Sequence, residues 1–374
     1  MNVIFTCGGT GGHINPAIAV ADVLKQRHPD CNILFIGAKG HMEEQLVPRA
    51  GYKLECLPGS GLSRKLSLAG LKKNAKAVKS VFSAVNQCKQ IIRDFRPDVI
   101  IGTGGYASFP ALYAGSRMGI PTCVHESNAV PGLTTKMAAN KATRVLVCFE
   151  ESKNHYKHPE KVQVVGMPVR QEFWNTTRRQ ARQELGIGDE ALVVSTYGSQ
   201  GARAMNEMTA QLFALEQKAG FPFRHIHAMG KFATEWMPQA VQEQGVNLES
   251  CPHIEMREYI YNMPTVLAAA DVVLGRAGSG TCNEIAATGT PCILIPSPNV
   301  TNNHQEKNAR ILESRGAAVL VQEAQCSAQG IFDEIMSLLG DEPRRLQMSQ
   351  TLRSMGVADS AQRICDILEE LIKS

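Results

Sequence analysis

The sequence predicts an α/β protein built from two Rossmann-like domains, each with a mainly parallel sheet. Short runs rich in Val and Ile alternate with helical patterns along all 374 residues. These runs show little polar–apolar alternation, as expected of strands that are buried on both faces of a parallel sheet. Glycine-rich turns follow such runs in both halves of the chain, and the length is that of about two domains.

Eleven runs are predicted to be strands. They cover residues 3–7, 33–37, 98–103, 121–126, 144–148, 162–166, 191–198, 224–229, 271–275, 291–296 and 317–321. Strands that alternate with helices imply parallel pairing through right-handed crossovers. A Gly- and Pro-containing segment, 166–170, joins the halves, so we expect one domain over residues 1–166 and another over 167–345. The final helices, 346–374, are free to pack on either domain, including back on the first.

Composition and charge indicate a globular cytoplasmic protein. The hydrophobic content of 44% and the charged content of 20% are ordinary values. The net charge of +4 is mild, and no nucleic-acid-binding motif accompanies it. The 11 cysteines form no C-x-x-C pair, which is typical of reduced thiols. Residue 1 leads directly into a strand and no apolar run approaches ~18 residues, so we expect neither a signal peptide nor a membrane span.

The segment C-G-G-T-G-G-H-I-N-P, residues 7–16, is the most informative stretch of the chain. A strand leads into it and a helical pattern leads out, with Pro16 expected near the first helical position. Glycines let a ligand approach the main chain, and the N–H groups of a helix start favour anionic or polar ligands. His13 adds an ionisable side chain at the mouth of this turn.

Two further glycine turns, 102–106 and 198–201, follow predicted strands. The turns at 8–12 and 198–201 lack the G-x-G-x-x-G dinucleotide pattern, and the chain has no P-loop, which argues against a nicotinamide enzyme and an ATPase. A single glycine turn is weak evidence, because many such turns only redirect the chain. Since all three follow strands, we expect them to open at the same edge of their sheets.

Three polar segments have both a structural and a functional interpretation. Residues 125–128, His-Glu-Ser-Asn, end a strand and form either a solvated loop or a site that faces a cleft. Thr281 and Glu284 have the spacing of a capping box; alternatively the helix start faces a phosphate and Glu284 binds a ribose diol. Gln305 and Asn308 share a helix face, and their amides suit either a hydroxyl-rich ligand or a solvated surface.

A basic amphipathic helix is predicted over residues 71–85, with Leu71, Val78 and Phe82 on its apolar stripe. The accompanying lysines are Lys65, Lys72, Lys73, Lys76 and Lys79. Such a helix either lies on an anionic membrane or packs its stripe against a core. The chain has no D-x-D, H-E-x-x-H or G-x-S-x-G motif, so we predict neither a metal cofactor nor a serine hydrolase.

Taken in order, these motifs resemble the MurG family of bacterial glycosyltransferases, from residue 8 to about residue 308. Residues 8–16 are similar to its G-G-T-G-G-H-x-x-P motif. The other matching segments are 104–110, 125–132, 168–170, 199–206, 276–284 and 305–308. The chain departs from the family pattern at Met167, Tyr197 and Thr135, and none of these changes removes a group that the family's reaction needs.

The resemblance implies a GT-B fold whose second domain holds most of the donor, UDP-N-acetylglucosamine. It implies inverting transfer of N-acetylglucosamine to the C4 hydroxyl of undecaprenyl-linked N-acetylmuramyl peptide (lipid I), which gives lipid II for peptidoglycan synthesis. No cofactor or metal is implied. The expected partners are the donor, lipid I, an anionic membrane surface at the cytoplasmic face and other proteins of cell-wall synthesis.

His13 is the first candidate for the general base, because imidazole titrates near neutral pH, and Glu126 is the second. Helix-start N–H groups near Ser199, with Arg170, are expected to stabilise the leaving diphosphate. The resemblance places Ile260 at the uracil, Glu284 at the ribose, and Gln305 and Asn308 at the sugar. The expected substrate-binding residues are Thr10, Gly11, Gly12, Tyr106, His125, Asn128, Arg170, Ser199, Gln200, Asn206, Ile260, Arg276, Glu284, Gln305 and Asn308. The expected membrane contacts are Lys72, Lys73, Lys76, Lys79 and Phe82.

Two other classes of function remain open at the level of sequence. Another GT-B enzyme, such as a UDP-N-acetylglucosamine 2-epimerase or a glycolipid synthase, has the same architecture, although an epimerase needs no surface for a lipid acceptor. A non-catalytic UDP-sugar-binding membrane scaffold is the second alternative. The joint presence of His13, Glu126, Glu284 and Gln305 argues against it.

Overall fold

The structure, a computed structural model, describes residues 1–58, 68–128, 130–148, 150–300 and 303–373, with residues 68–79, 133 and 151 described by their backbone alone. The chain divides into two compact units. The first unit contains Met1–Arg170 and Val357–Ser374, and the second contains Gln171–Gly356.

The first unit contains a seven-stranded parallel sheet. Its strands are β1 (Asn2–Thr6), β2 (Asn32–Ala38), β3 (Lys53–Leu57), β4 (Val99–Gly102), β5 (Thr122–Glu126), β6 (Arg144–Val147) and β7 (Val162–Val164), in the order β3-β2-β1-β4-β5-β6-β7. Its helices include α1 (Gly11–Arg27), α2 (Glu43–Arg49), α3 (Leu68–Phe95), α4 (Ser108–Arg117) and α5 (Leu133–Ala139). Apolar cores lie on both faces of this sheet, which explains why its strands show little alternation.

The second unit contains a six-stranded parallel sheet. Its strands are β8 (Leu192–Thr196), β9 (Arg224–Ala228), β10 (Ile254–Arg257), β11 (Val272–Gly275), β12 (Cys292–Leu294) and β13 (Val319–Leu320), in the order β10-β9-β8-β11-β12-β13. Its helices include α6 (Gln171–Asn175), α7 (Arg178–Leu185), α8 (Arg203–Lys218), α9 (Met237–Glu243), α10 (Met263–Ala269), α11 (Ser279–Thr288), α12 (His304–Ser314), α13 (Ala328–Gly340) and α14 (Glu342–Met355). The predicted fold class, two Rossmann-like parallel-sheet domains, is confirmed.

The sheets include two strands, β3 and β10, that the apolar runs did not predict. Both lie at an edge of their sheet. Their sequences, K-L-E-C-L and I-E-M-R, contain charged residues and are only partly buried. An edge strand has a neighbour on one side only, so it does not need the continuous apolar run by which a central strand is recognised.

The first helix begins earlier than predicted. Thr10 is its extended N-cap and α1 starts at Gly11, so the expectation that Pro16 lies near the first helical position is wrong. The Thr10 carbonyl accepts hydrogen bonds from the N–H groups of His13 (3.0 Å) and Ile14 (3.2 Å). These bonds draw the glycines into the first turn of the helix and place His13 on that turn.

The last helix, α15 (Ser360–Lys373), belongs to the first unit. It packs on α1, and its buried Ile364, Leu368 and Leu371 join the same apolar cluster as residues of β1 and α1. At the rim, Arg27 Nη1 lies 2.6 Å from an Asp366 carboxylate oxygen and 3.1 Å from a Glu369 one. The chain therefore returns to its first unit after completing the second.

Leu368→Ala is expected to lower the free energy of unfolding by about 2–5 kcal/mol, because the fully buried side chain leaves a cavity between α15 and the first core. Urea denaturation followed by circular dichroism measures the change. Glu370→Ala on the exposed side of the same helix is the control, with an expected loss under about 1 kcal/mol. Equal stability of Leu368→Ala and wild type would contradict this packing.

Candidate active site

The strand order of each sheet reverses at one point, between β1 and β4 in the first unit and between β8 and β11 in the second. Crossovers leave in opposite directions there, which opens a crevice at the carboxyl ends of the strands where ligands bind in α/β proteins. The glycine turns after β1 and β4 lie at the first reversal. The glycine turn after β8 and the segment 276–278 lie at the second.

The His13 imidazole is held in one orientation by the second glycine turn. Its Nδ1 lies 3.1 Å from the Thr103 carbonyl oxygen, and the Thr103 hydroxyl donates a 2.6 Å hydrogen bond to the His13 carbonyl. A carbonyl oxygen only accepts, so Nδ1 carries the proton and Nε2 keeps the basic lone pair of the neutral ring. This arrangement suits a group that accepts a proton.

Two glycines allow the first and second turns to meet. A Cβ on Gly104 would lie 2.5 Å from His13 Nδ1, and one on Gly105 would lie 2.2 Å from the Gly8 carbonyl oxygen. Both glycines also have positive φ, +115° and +85°. Any side chain at these positions would push the two turns apart and displace the His13 ring.

The remaining predicted residues of these turns are Thr10, Gly11, Gly12 and Tyr106. Thr10 and Gly12 are exposed and Gly11 is half-buried, so their surface is open to a ligand. The Tyr106 hydroxyl lies 3.1 Å from Ser80 Oγ, which connects the second turn to α3. The structure thus brings the predicted residues of the first two glycine turns together.

The end of β5 is buried, so the interpretation of residues 125–128 as a solvated loop is wrong. The His125 Nε2 lies 3.0 Å from the Gly166 carbonyl, and burial lowers the pKa of His125, which favours its neutral form. One Glu126 oxygen accepts hydrogen bonds from the Asn128 main chain (3.0 Å) and side chain (2.9 Å), and the other accepts from Gly132 N–H (3.1 Å). Glu126 therefore organises its own loop.

In the second unit, the glycine turn after β8 packs against the segment after β9. Asn206 is almost fully buried and donates a 2.7 Å hydrogen bond to the Met229 carbonyl. A Cβ on Gly201 would lie 2.2 Å from the same carbonyl oxygen. Ser199, half-buried, and Gln200, exposed, stand on the turn that precedes α8.

The capping-box interpretation of Thr281 and Glu284 is wrong. Helix α11 begins at Ser279 with Gly278 as its N-cap, so Thr281 lies inside the first turn and Glu284 in the second. The half-buried Glu284 therefore lies within two turns of the start of α11, at the second strand reversal. Arg276, directly after β11, is buried and ion-pairs with Glu323 at 2.5 Å.

The two predicted amides of α12 hold neighbouring loops. Asn308, almost fully buried, donates a 3.0 Å hydrogen bond to the Ala277 carbonyl. The Gln305 side-chain oxygen accepts a 2.8 Å hydrogen bond from Ser297 N–H. Ile260 is also buried, after β10, and Arg170 is half-buried at the end of the first segment of unit 1. The two hydrogen bonds use one side of the Asn308 and Gln305 amides, so a role of these amides in sugar binding stays a prediction.

Helix α3 extends beyond the predicted 71–85. Its second half buries Ala84, Cys88 and Ile92 in the first unit, whereas Phe82 is 67% exposed. The structure describes residues 68–79 of α3 by their backbone alone, so the four lysine side chains predicted to contact a membrane lie outside what it describes. These are Lys72, Lys73, Lys76 and Lys79; Lys65 also lies outside the described residues. None of the helices in the described ranges combines the length and apolar character that crossing a membrane requires.

The sequence patterns missed one carboxylate beneath the first turn. Glu43 is fully buried and accepts hydrogen bonds from Gly9 N–H at 3.1 Å and Ala38 N–H at 2.8 Å. The one available signal was a pair of glycines, Gly8 and Gly37, at the ends of neighbouring strands. In the described ranges, no three His, Cys, Asp or Glu side chains cluster as a metal site requires.

A second polar cluster lies in the core of unit 2. Ser195 Oγ lies 2.7 Å from His225 Nε2 and 2.6 Å from His227 Nδ1, and His225 Nδ1 lies 2.7 Å from a Glu216 oxygen. The Ser–His–Glu order is that of a hydrolytic triad, but all four side chains are fully buried. No substrate reaches a hydroxyl in that position, so the cluster is a polar network of the core.

The two Rossmann-like units place this chain in the class of GT-B proteins. The comparisons with known proteins agree. The Glycosyltransferase family 28 N-terminal domain matches residues 3–147, and the Glycosyltransferase family 28 C-terminal domain matches residues 192–364. A UDP-N-acetylglucosamine--N-acetylmuramyl-(pentapeptide) pyrophosphoryl-undecaprenol N-acetylglucosamine transferase of Acetivibrio thermocellus is 40% identical over 375 residues, 100% of this chain and 99% of the relative. The chain belongs to that transferase family, within glycosyltransferase family 28, as the motifs predicted.

Solved structures show the same fold. The crystal structure of Acinetobacter baumannii MurG matches with a TM-score of 0.68 and 25% identity, covering 99% of each chain. A UDP-GlcNAc 2-epimerase from Neisseria meningitidis, solved with UDP-GlcNAc bound, has a TM-score of 0.66 and covers 99% of this chain and 100% of its own, but is 15% identical. The epimerase shares the fold alone, so the alternative of an epimerase is not favoured.

The buried cluster of Ser195, Glu216, His225 and His227 predicts that the protein loses stability in mild acid. Burial lowers the pKa of His227 well below its usual range, and the neighbouring His225 lowers it further. Below pH ~6.5 the unfolded chain binds a proton that the folded chain does not, so stability is full above that pH and falls as the pH drops. His227→Phe should reduce the slope of unfolding free energy against pH, between pH 7.5 and 5.5, by up to ~1.4 kcal/mol per unit.

The measurement is urea denaturation at several pH values. His155→Gln removes an exposed histidine and is the matched control, with the slope expected to stay that of wild type. An unchanged slope in His227→Phe would mean that this imidazole does not titrate on unfolding.

Proposed function

We propose that this chain transfers N-acetylglucosamine from UDP-N-acetylglucosamine to the C4 hydroxyl of lipid I, forming lipid II. The observation that carries the proposal is the oriented His13 ring at the first strand reversal, in a chain 40% identical over its full length to a transferase named for this transfer. Each unit adds glycine turns through which a diphosphate and a sugar pass close to the main chain.

In the proposed reaction, His13 Nε2 accepts the proton of the C4 hydroxyl as its oxygen bonds to the anomeric carbon of the donor. The bond from that carbon to the diphosphate breaks on the opposite side, so the α-linked donor gives a β-linked product in one displacement. A hydroxyl becomes a competent nucleophile only as it loses its proton, and a neutral imidazole with a fixed Nδ1–H is suited to that task. Glu126 remains the second candidate, although its oxygens organise the loop 126–132.

The leaving UDP gains negative charge, which main-chain N–H groups and a cation stabilise. The turn at Ser199 leads into the 16-residue helix α8, whose start supplies such N–H groups, and we assign Arg170 the cationic part. We assign Glu284 to the ribose and the Ile260 main chain to the uracil. The remaining binding roles follow the resemblance: Thr10, Gly11, Gly12, Tyr106, His125 and Asn128 on the acceptor side, and Gln200, Asn206, Arg276, Gln305 and Asn308 on the donor side. We propose that the displacement needs no metal or other cofactor.

We propose further that the protein acts at the cytoplasmic face of the membrane, where the lipid-linked acceptor lies. The exposed Phe82 on the basic helix α3 supports this docking. A lysine-rich helix with an exposed aromatic side chain binds an anionic surface by charge attraction and shallow apolar insertion. Other proteins of cell-wall synthesis are further candidate partners.

His13→Ala is expected to lower kcat about 100- to 10,000-fold, the usual contribution of a general base. The assay follows radiolabel from UDP-N-acetylglucosamine into a lipid I analogue. His155→Ala, at an exposed position of the same unit, is the control and should match wild type. Near-wild-type activity of His13→Ala would reject the base assignment. Free UDP-N-acetylmannosamine as the wild-type product, without labelled lipid, would reject the transfer itself.

Reversing the charge of the four α3 lysines to glutamate should weaken binding to anionic vesicles at least tenfold, because each basic residue near the surface contributes about 1 kcal/mol. Co-sedimentation with phosphatidylglycerol vesicles measures it. The substituted residues are Lys72, Lys73, Lys76 and Lys79.

The matched control reverses four exposed basic residues of the second unit. These are Arg179, Lys218, Lys231 and Arg315. Vesicle binding that falls equally in both variants would show that net charge, and not α3, is responsible.

A further inference from the structure

Glu43 is a buried carboxylate that the proposed reaction does not use. Its side chain is fully buried, and a charged group is tolerated there only if it is well hydrogen-bonded. One oxygen accepts the Gly9 N–H at 3.1 Å and the other accepts the Ala38 N–H at 2.8 Å. Ala38 ends β2 and Gly9 follows β1, so the carboxylate joins the first glycine turn to the end of the neighbouring strand.

The surrounding main chain is shaped for this side chain. A Cβ on Gly8 would lie 2.7 Å from Glu43 Oε1, and a Cβ on Gly37 would lie 2.5 Å from Glu43 Cγ. Both strand ends therefore need glycine for the carboxylate to reach its two donors. A smaller apolar residue at position 43 would fill the same space without requiring glycine at either strand end. The two glycines therefore indicate a requirement for the carboxylate itself, beyond general core packing.

The opposite side of the same turn is held by the second glycine turn. Gly105 packs against the Gly8 carbonyl, and Thr103 fixes the His13 ring through Nδ1. The first glycine turn is thus held by Glu43 on one side and by the second glycine turn on the other, and Gly9, with φ +88°, lies between these contacts. Helix α1 and His13 follow within four residues, so a shift of Gly9 moves the imidazole.

We propose that Glu43 is a positioning residue, which holds Gly9 and thereby places His13 Nε2 where it accepts the proton of the acceptor hydroxyl. The proposal rests on the proposed function, because it gives Glu43 a part in the same reaction. Glu43 touches no substrate. Its effect reaches the chemistry through the first glycine turn.

Glu43→Gln tests the proposal with little change of shape. An amide has one accepting oxygen, so it satisfies Ala38 or Gly9 but not both. We expect kcat to fall at least tenfold, while the KM for UDP-N-acetylglucosamine stays within twofold because the residues assigned to its uracil, ribose and sugar lie in the second unit. Gly37→Ala, which presses on Glu43 without touching the turn, should give the same split and serves if Glu43→Gln does not fold.

Two control variants separate positioning from general stability. Val47→Ala removes buried apolar packing from the same helix and should lower the Tm while leaving kcat within twofold. Glu44→Gln makes the same chemical change at the exposed neighbour and should match wild type. If Glu43→Gln lowers kcat no more than Val47→Ala does at an equal loss of Tm, Glu43 is structural only and the proposal is overturned.

Hydrogen exchange provides a readout that needs no activity. Amides of residues 8–13 should exchange faster in Glu43→Gln than in wild type or Val47→Ala. Unchanged exchange in a folded Glu43→Gln overturns the positioning role, whatever the enzyme does. Absence of transfer in wild type overturns the proposed function instead, and the exchange result still stands.

Discussion

Both units depend on main chain packing directly against main chain at the carboxyl ends of their strands. In the first unit, Gly105 meets the carbonyl of Gly8 at a distance that excludes a Cβ. In the second, a Cβ on Gly201 would lie 2.2 Å from the Met229 carbonyl, and one on Gly230 would lie 2.1 Å from Gly201 N. Such contacts bring loops from different strands to within reach of one ligand, and they leave N–H groups and carbonyls at the surface of each strand reversal.

Around these contacts, buried polar side chains hold the loops. Glu126, Asn206 and Asn308 each hydrogen-bond to main-chain groups in or beside a predicted ligand loop. A buried polar group that lacks its partner is costly, so each of these bonds makes one loop conformation strongly preferred. A loop prepared in this way does not need to be ordered when a ligand binds, which favours both affinity and catalysis.

Most of the fold was predictable, because a central parallel strand must be apolar on both faces. The edge strands β3 and β10 were missed since they have no such requirement. The helix starts were harder to place: α1 starts at Gly11 although the side chain of its N-cap, Thr10, makes no capping hydrogen bond, and the N-cap of α11 is Gly278, which has no side chain to signal a cap. The buried Glu43 was missed, because nothing in its own segment distinguishes it from the exposed Glu44 beside it, and the two glycines that contact it are distant in the sequence.

The sequence by itself determined the fold class, the family and the identity of the loops, since these follow from apolar runs and from glycine motifs that are local in the chain. Only the tertiary structure decided how the side chains of those loops are used. The bond that orients His13 joins residues 90 positions apart, and the bond from Gly9 to Glu43 joins residues 34 apart. Those partners are set by the order of β2, β1 and β4 in the sheet, and strand order is a property of the whole packed unit.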